Sequence, residues 1–192
     1  MRVNDIHSEL NATEVAKVVT PHSVDDIQQA LLWAQTHQVS VSVSGARHAM
    51  GGQQFVSDGL LLDMRQFNRV VSFDKENGWI EVEAGIQWPD LLAYLYDNQT
   101  PTTDAWAFRQ KQTGADLLTI GGCLSANVHG RGLAMRPFID DIESFTLLTA
   151  QNEIQQVSRT ENSQLFQLAI GGYGLFGVVL HVTLRLSRRA VL

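Results

Sequence analysis

The chain has 192 residues, 44% of them hydrophobic, which is enough for one ordinary domain with a packed core and excludes wholesale disorder. Fourteen basic residues against twenty acidic ones leave a formal charge of −6, which argues against nucleic acid as a main partner, since a binder of phosphate backbones needs a basic face. The one cysteine, Cys123, forbids an internal disulfide, and neither an apolar signal core at Met1–Asp5 nor a run of roughly 18 apolar residues is present, so the chain reads as soluble, cytoplasmic and without a membrane partner.

Residues 1–15 are polar and weakly patterned, and read as an N-terminal lead-in. Ala16–Thr20 reads as a short strand stopped by Pro21. Ser23 has the character of a helix N-cap, with Asp26 three residues on as a variant capping box. Ile27, Ala30, Leu31 and Ala34 recur at helical spacing, predicting a helix over about 24–37. Val39–Val43 is a strand, followed by the first glycine break, Ser44-Gly45-Ala46-Arg47-His48-Ala49-Met50-Gly51-Gly52. Leu60–Asp63 is a third strand, so residues of about 16–75 read as a small α/β unit.

The remainder reads as a second unit, about 76–188. Val70–Phe73 and Trp79–Ala84 predict a hairpin, with Ile80, Val82 and Ala84 inward and Glu81 and Glu83 outward. Pro89 suits the first turn of a helix reaching Leu95 or Tyr96. Residues 98–118 have no clear period and read as a long functional loop. The second glycine break, Thr119-Ile120-Gly121-Gly122-Cys123-Leu124-Ser125-Ala126-Asn127-Val128-His129-Gly130, opens a short helix near Gly122. A second hairpin (Ser144–Thr149 and Ile154–Val157), a helix over 162–169 and a closing strand, Val178–Leu186, complete the chain. There is no internal repeat.

Glycine allows backbone N–H groups to surround an anion that a Cβ would hold off. Two such breaks in one small domain suggest a single long ligand carrying phosphates, and a dinucleotide fits, since amides can hold it without net positive charge. Gly172-Tyr173-Gly174-Leu175-Phe176-Gly177 matches the G-x-G-x-x-G pattern of nicotinamide dinucleotide domains, but a strand follows it where a helix is required. That run reads instead as a turn passing close to the ligand or to the first glycine break. The remaining histidines (His7, His22, His37, His181) have no metal-ligand spacing, and no metal is expected.

At these residues the chain resembles the PCMH-type FAD-binding domain (FAD-binding type 4) of the vanillyl-alcohol oxidase / p-cresol methylhydroxylase family, in its cytokinin dehydrogenase and aldonolactone oxidase branches. The motifs fall in the family's order: Val18-Val19-Thr20-Pro21 with Val24–Ile27; the 44–53 loop; Glu83–Leu91, similar to A-G-x-x-W-x-D-L; Thr119–Gly122 with Asn127–Gly130; and Phe166, Gly171-Gly172 and Gly177-Val178-Val179. The resemblance implies an α+β fold of two subdomains with FAD between them, and a substrate cap that these residues do not include. It places the pyrophosphate on Ser44, Gly45, Ala46, Arg47, His48 and Gly51, with Ala49 and Gln53 beside it. It places the rest of the cofactor wall on Gly114, Thr119, Gly121, Gly122, Ser125, Asn127, His129 and Gly130, and on Gly177 and Val178.

Relatives with Gly-His-Ser at His48 join that histidine to the flavin 8α-methyl carbon. Here Arg47 and Ala49 replace the usual Gly and Ser, and two readings stand: a covalent flavin, or a loop histidine that only hydrogen-bonds its surroundings. His129 reads either as a flavin neighbour or as a turn histidine, Val128 as a residue against the flavin face where oxygen would react, and Cys123 as a small packed residue. Trp106, in the long loop, lines the flavin or contacts a further domain. The family's chemistry implies an oxidase or dehydrogenase that passes a hydride from an alcohol, sugar-lactone or amine-type substrate to flavin N5. The alternative is a stand-alone FAD module or subunit without turnover of its own, working with a separate substrate-domain chain or as a homo-oligomer. A nicotinamide-dependent reductase of the same superfamily fits His48 and His129-Gly130 poorly. No catalytic residue is assigned from the sequence.

Overall fold

The computed structural model describes residues 1–100, 104–111, 114–130, 132 and 134–189. Three sheets organise it. A small parallel sheet has the order β3 (Lys17–Val19), β5 (Leu60–Asp63), β4 (Val41–Ser44), covered by α1 (Val24–Thr36). Leu60, Leu61 and Leu62 are fully buried because the central strand of a covered parallel sheet has no solvent face. Helix α1 starts where its chemistry says it should: the Ser23 side chain accepts from the Asp26 N–H, and Asp26 accepts from the Ser23 N–H.

The larger sheet is antiparallel. Its main path is β10 (Ile154–Ser158), β9 (Ile142–Leu148), β11 (Val178–Arg188), β7 (Trp79–Glu83), β6 (Val70–Asp74). Helices α2 (Trp88–Asp97), α3 (Ile120–Ala126) and α4 (Ser163–Ala169) accompany it. Because β6 pairs with β7, the seam between the units lies between the 3₁₀ turn Met64–Gln66 and Val70, earlier than residue 75. The long loop of 98–118 contains a strand, β8 (Trp106–Phe108), paired with the end of β11. Trp106 is fastened there: its Nε1 donates to the Lys75 carbonyl and the Arg188 guanidinium lies 3.8 Å from its ring, so it does not line the cleft described below.

One residue and one segment depart from simple alternation or polarity. Glu83 is buried rather than outward, since both its oxygens accept from Arg69, through the backbone N–H (2.6 Å) and the guanidinium (2.7 and 3.0 Å). The N-terminal residues pack onto the fold: β1 (Arg2–Val3) and β2 (Thr13–Glu14) pair, and Val3 and Val15 are buried with Leu61.

The units share a core. Ile27, Leu60, Leu62, Met64 and Phe67 form one buried cluster with Leu148, Val178 and Leu180 of the larger sheet. Leu180→Ala should therefore lower stability by about 2 kcal/mol, the lower end for a buried leucine truncation, and leave a single unfolding transition in a denaturant titration followed by circular dichroism and tryptophan fluorescence.

Candidate functional site

A cleft of about 540 Å³ lies between the two sheets, within the range of small-molecule sites. Its first wall is the loop that leaves the carboxyl end of β4. Its second is the start of α3 with the segment before it, and its third is the turn of residues 173–179 ahead of and into β11.

The first two walls touch. A Cβ on Gly45 would stand 2.0 Å from Thr119 Oγ1 and 2.9 Å from Thr119 Cγ2, so only glycine lets the loop lie against the N-cap of α3. Thr119 is itself committed, its Oγ1 accepting from the Gly122 N–H at 3.2 Å. The two glycine breaks of the sequence are thus one structural unit.

They contribute differently. Among the described residues, no backbone N–H from Ala46 through Gly51 donates a hydrogen bond to the protein. In the second break the amides are taken: Ile120 N donates to the Ile86 carbonyl (2.9 Å), Gly121 N to the Ala84 carbonyl (2.7 Å), and Gly122 N to Thr119. The expectation of paired cradles of bare amides is corrected here. The first loop offers amides, whereas Gly121 serves close packing on Ala84, whose Cβ would be 2.9 Å from an added one.

Orphaned polar groups gather at the same loop. Ser44 Oγ, Arg47 Nε, His48 Nε2 and Gln54 Oε1 all line or flank the cleft, buried and without a hydrogen-bond partner. Buried polar groups ordinarily find partners, and a cluster of exceptions lining one cleft fits a polar ligand there. Arg47 has φ +60°, a backbone state that its anchoring holds in place: its guanidinium pairs with Asp63 at 2.9 Å, and Arg65 reaches the same carboxylate at 2.6 Å. Burial pushes the Asp63 carboxyl up, but hydrogen bonding and charge from Arg65, with the charge of Arg47, outweigh it and leave the group below its ordinary value.

His48 Nδ1 lies 2.6 Å from His7 Nε2. Burial, and then the charge of His7, hold His48 below the usual histidine value, against a smaller opposing pull from the Leu117 carbonyl. Cys123 is fully buried at the cleft floor, and burial pushes its thiol up to about 12, so it packs and is not a thiolate.

The cleft gathers Ser44, Gly45, Ala46, Arg47, His48, Ala49, Gln53, Gly114, Thr119, Gly121, Gly122, Ser125 and Gly177 from among the residues expected there, and Val128 with them. It does not gather Gly51, Asn127, His129, Gly130 or Val178. Gly51 faces solvent at the loop's tip. Asn127 ends α3 in the left-handed conformation, φ +43°, with its Oδ1 accepting from the Ile139 N–H. His129 is exposed with its Nδ1 on the Gly130 carbonyl, Gly130 abuts the Lys111 backbone, and Val178 is buried in the shared core.

Sequence reasoning missed His7, Gln54 and Tyr173 as lining residues. Tyr173 belongs to the glycine-rich turn already expected near the ligand, and Gln54 follows Gln53 directly. Nothing in the polar 4–11 stretch signals that His7 folds back over residue 48.

A family profile described as an FAD binding domain matches residues 15–158. The chain is 34% identical over 173 residues to the uncharacterized oxidoreductase ORF5 of the fasciation locus of Rhodococcoides fascians, covering 88% of this chain and 37% of that protein. It is 32% identical over 166 residues to L-gulonolactone oxidase of Bos taurus (86% and 36%) and 28% identical over 165 residues to cytokinin dehydrogenase 2 of Arabidopsis thaliana (84% and 31%). The chain thus spans about a third of the length of the curated relatives it matches. Its fold superposes on a solved alkyldihydroxyacetonephosphate synthase with a TM-score of 0.77 at 18% identity, covering 89% of this chain and 31% of that one.

Proposed function

This chain belongs to the FAD binding domain family, and from that premise we propose that its cleft is the flavin half of an oxidoreductase. The free N–H groups of Ala46–Gly51 would hold the pyrophosphate, and the apolar stretch of Ala84, Leu118, Ala126, Val128 and Val179 would take the ring system. One observation carries this reading: unbonded loop amides and orphaned polar side chains coincide in a single cleft. When bound, the flavin supplies a two-electron acceptor at N5 for a hydride from an alcohol, sugar-lactone or amine-type carbon. The names of the gulonolactone oxidase and cytokinin dehydrogenase relatives support an oxidase or dehydrogenase reading, with a lactone among the candidate substrates.

A second reading has its own support. Among the described residues, the titratable side chains lining the cleft are His7, Arg47, His48, Cys123 and Tyr173, with no carboxylate. A substrate base would then come from elsewhere, and the chain alone would bind FAD without turnover until a substrate-domain chain or a second copy joins it. Among the described residues no helix is long and apolar enough to cross a membrane, and the single buried cysteine suits the cytoplasm.

His48, whose Nε2 lies in the cleft without a hydrogen-bond partner among the described residues, is the group that would take a covalent flavin bond. A neutral His48 ring nitrogen would be the group to bond the flavin 8α-methyl carbon, an oxidation for which dioxygen would have to accept the two hydrogens lost by the imidazole and the methyl group. The test is a visible spectrum of the purified, FAD-reconstituted chain before and after acid precipitation. A bound flavin spectrum is expected, with colour kept in the acid pellet and released to the supernatant in His48→Ala. Failure to take up added FAD overturns the function; full release from the unaltered protein overturns only the covalent bond.

A further inference from the structure

The N-terminal strap of residues 4–11 crosses the first glycine loop and is pinned on both sides of His48. Ile6 N–H donates to the Arg47 carbonyl at 3.1 Å, and the Asn11 amide donates to the Met50 carbonyl at 2.6 Å. The strap is held rigid by a buried carboxylate, Asp5, which accepts from the His7 and Ser8 backbone N–H groups (3.1 and 2.7 Å), the Ser8 hydroxyl (2.9 Å) and the Asn11 amide (2.8 Å). The Asn11 hydrogen bond, foremost, with those from residues 7 and 8, keeps Asp5 ionised against its burial. The product of this construction is the 2.6 Å contact between His7 Nε2 and His48 Nδ1, with ring centroids 4.7 Å apart.

Two imidazole nitrogens that close require one proton between them: a lone pair must face an N–H, so one ring is donor and the other acceptor. We propose that His7 is a positioning residue for His48, sharing a single proton across the Nε2–Nδ1 contact and so fixing the orientation and the neutral state of the His48 ring at the edge of the cleft. The consequence for the flavin rests on the function proposed above; the contact itself does not.

The electrostatics agree. The charged and titratable groups around the pair are the Arg47–Asp63 ion pair on the same loop and the adjoining strand, Asp5 on the strap, Cys123 and Tyr173 across the cleft, and the Leu117 carbonyl. Protons on both facing nitrogens at once would set N–H against N–H. Burial first, and then the charge of His7, hold His48 below 6.5, so the stabilisation of its neutral state is fully present above pH 6.5 and is lost as pH falls through the lower folded-state value.

The test is nitrogen NMR of the full ¹⁵N-labelled chain without flavin, with the two rings assigned through His7→Gln and His48→Gln. A nitrogen–nitrogen coupling between the two rings across the shared proton is expected at pH 8, with His48 in one tautomer. In His7→Phe the coupling vanishes, His48 becomes a tautomer mixture, and its titration midpoint rises. His7→Gln, whose amide can still meet Nδ1, restores the single tautomer. FAD titration of the same variants should show His7→Phe weakened about tenfold, the lower end of what losing the partner of a functional imidazole costs at metal sites. No coupling in the unaltered protein, or a His48 spectrum unchanged in His7→Phe, overturns the proposal. A chain that shows the coupling but takes up no FAD overturns the proposed function and leaves this contact standing.

Discussion

Gly45→Val should abolish tight FAD binding, lowering affinity by at least about a hundredfold. The Cβ alone would stand 2.0, 2.9 and 3.0 Å from Thr119 Oγ1, Cγ2 and Cβ, so the short, branched threonine has no direction in which to yield. Thr119 is 2% exposed and its hydroxyl caps α3, so rotating it away leaves the Gly122 N–H without its partner. The remaining outcome is that the loop and the helix part by an ångström or more. A displacement of that size costs about a hundredfold where positioned groups must act together, and overpacking adds about 1–3 kcal/mol of lost stability. Fluorescence-quenching titration with FAD reads the affinity and thermal unfolding the stability. Gly45→Ala should lose less, and adding Thr119→Ser, which removes the Cγ2, should recover part of that loss. If Gly45→Val binds FAD normally, the contact between the two breaks is not what shapes the cleft.

Asp63→Ala carries the second large effect. The carboxylate is buried at the end of β5 and is the common anchor of Arg47, in the first glycine loop, and Arg65, in the turn that follows. Its removal leaves a half-buried guanidinium unpaired and frees a residue held at positive φ. Breaking a buried pair from one side costs about 3 kcal/mol or more, so a loss of about 3 kcal/mol is expected in a denaturant titration, with weaker FAD binding because loop 44–49 loses its tether. Asp63→Asn, which still accepts a hydrogen bond, should lose less. The pH dependence has a definite sign. Asp63 is held below the ordinary 3.8, so the unfolded chain binds its proton first. The contribution is complete above pH 3.8 and fades as pH falls through the folded-state value, and Asp63→Ala should flatten the acid limb of the stability profile. An unchanged acid limb would show that another group governs it.

Much of the fold was legible because its signals are local. The capping pair Ser23 and Asp26, the helical spacing of Ile27, Ala30 and Ala34, the alternation in β7 and the apolar run of Leu60–Leu62 each act within a few residues. The glycine spacing led to the cleft for the same reason: glycines mark close approach wherever it occurs. Less legible was what each glycine approaches. Gly45 meets a threonine 74 positions away, and Gly121 meets Ala84, so the second break packs where it was expected to cradle. Glu83 looked outward by alternation and is buried because Arg69 reaches it.

The chain's own residues marked a small α/β unit, a mostly antiparallel unit and two glycine breaks, since period, caps and glycine positions are local; FAD between two subdomains was what the family resemblance implied. Only the tertiary structure decided which amides are left free, that Asn127, His129, Gly130 and Val178 turn from the cleft into caps, turns and core, and that a polar N-terminal strap delivers His7 to His48. Those outcomes depend on pairings across 14 to 74 positions, where loop closure and competition for hydrogen-bond partners settle the matter and no local pattern is written.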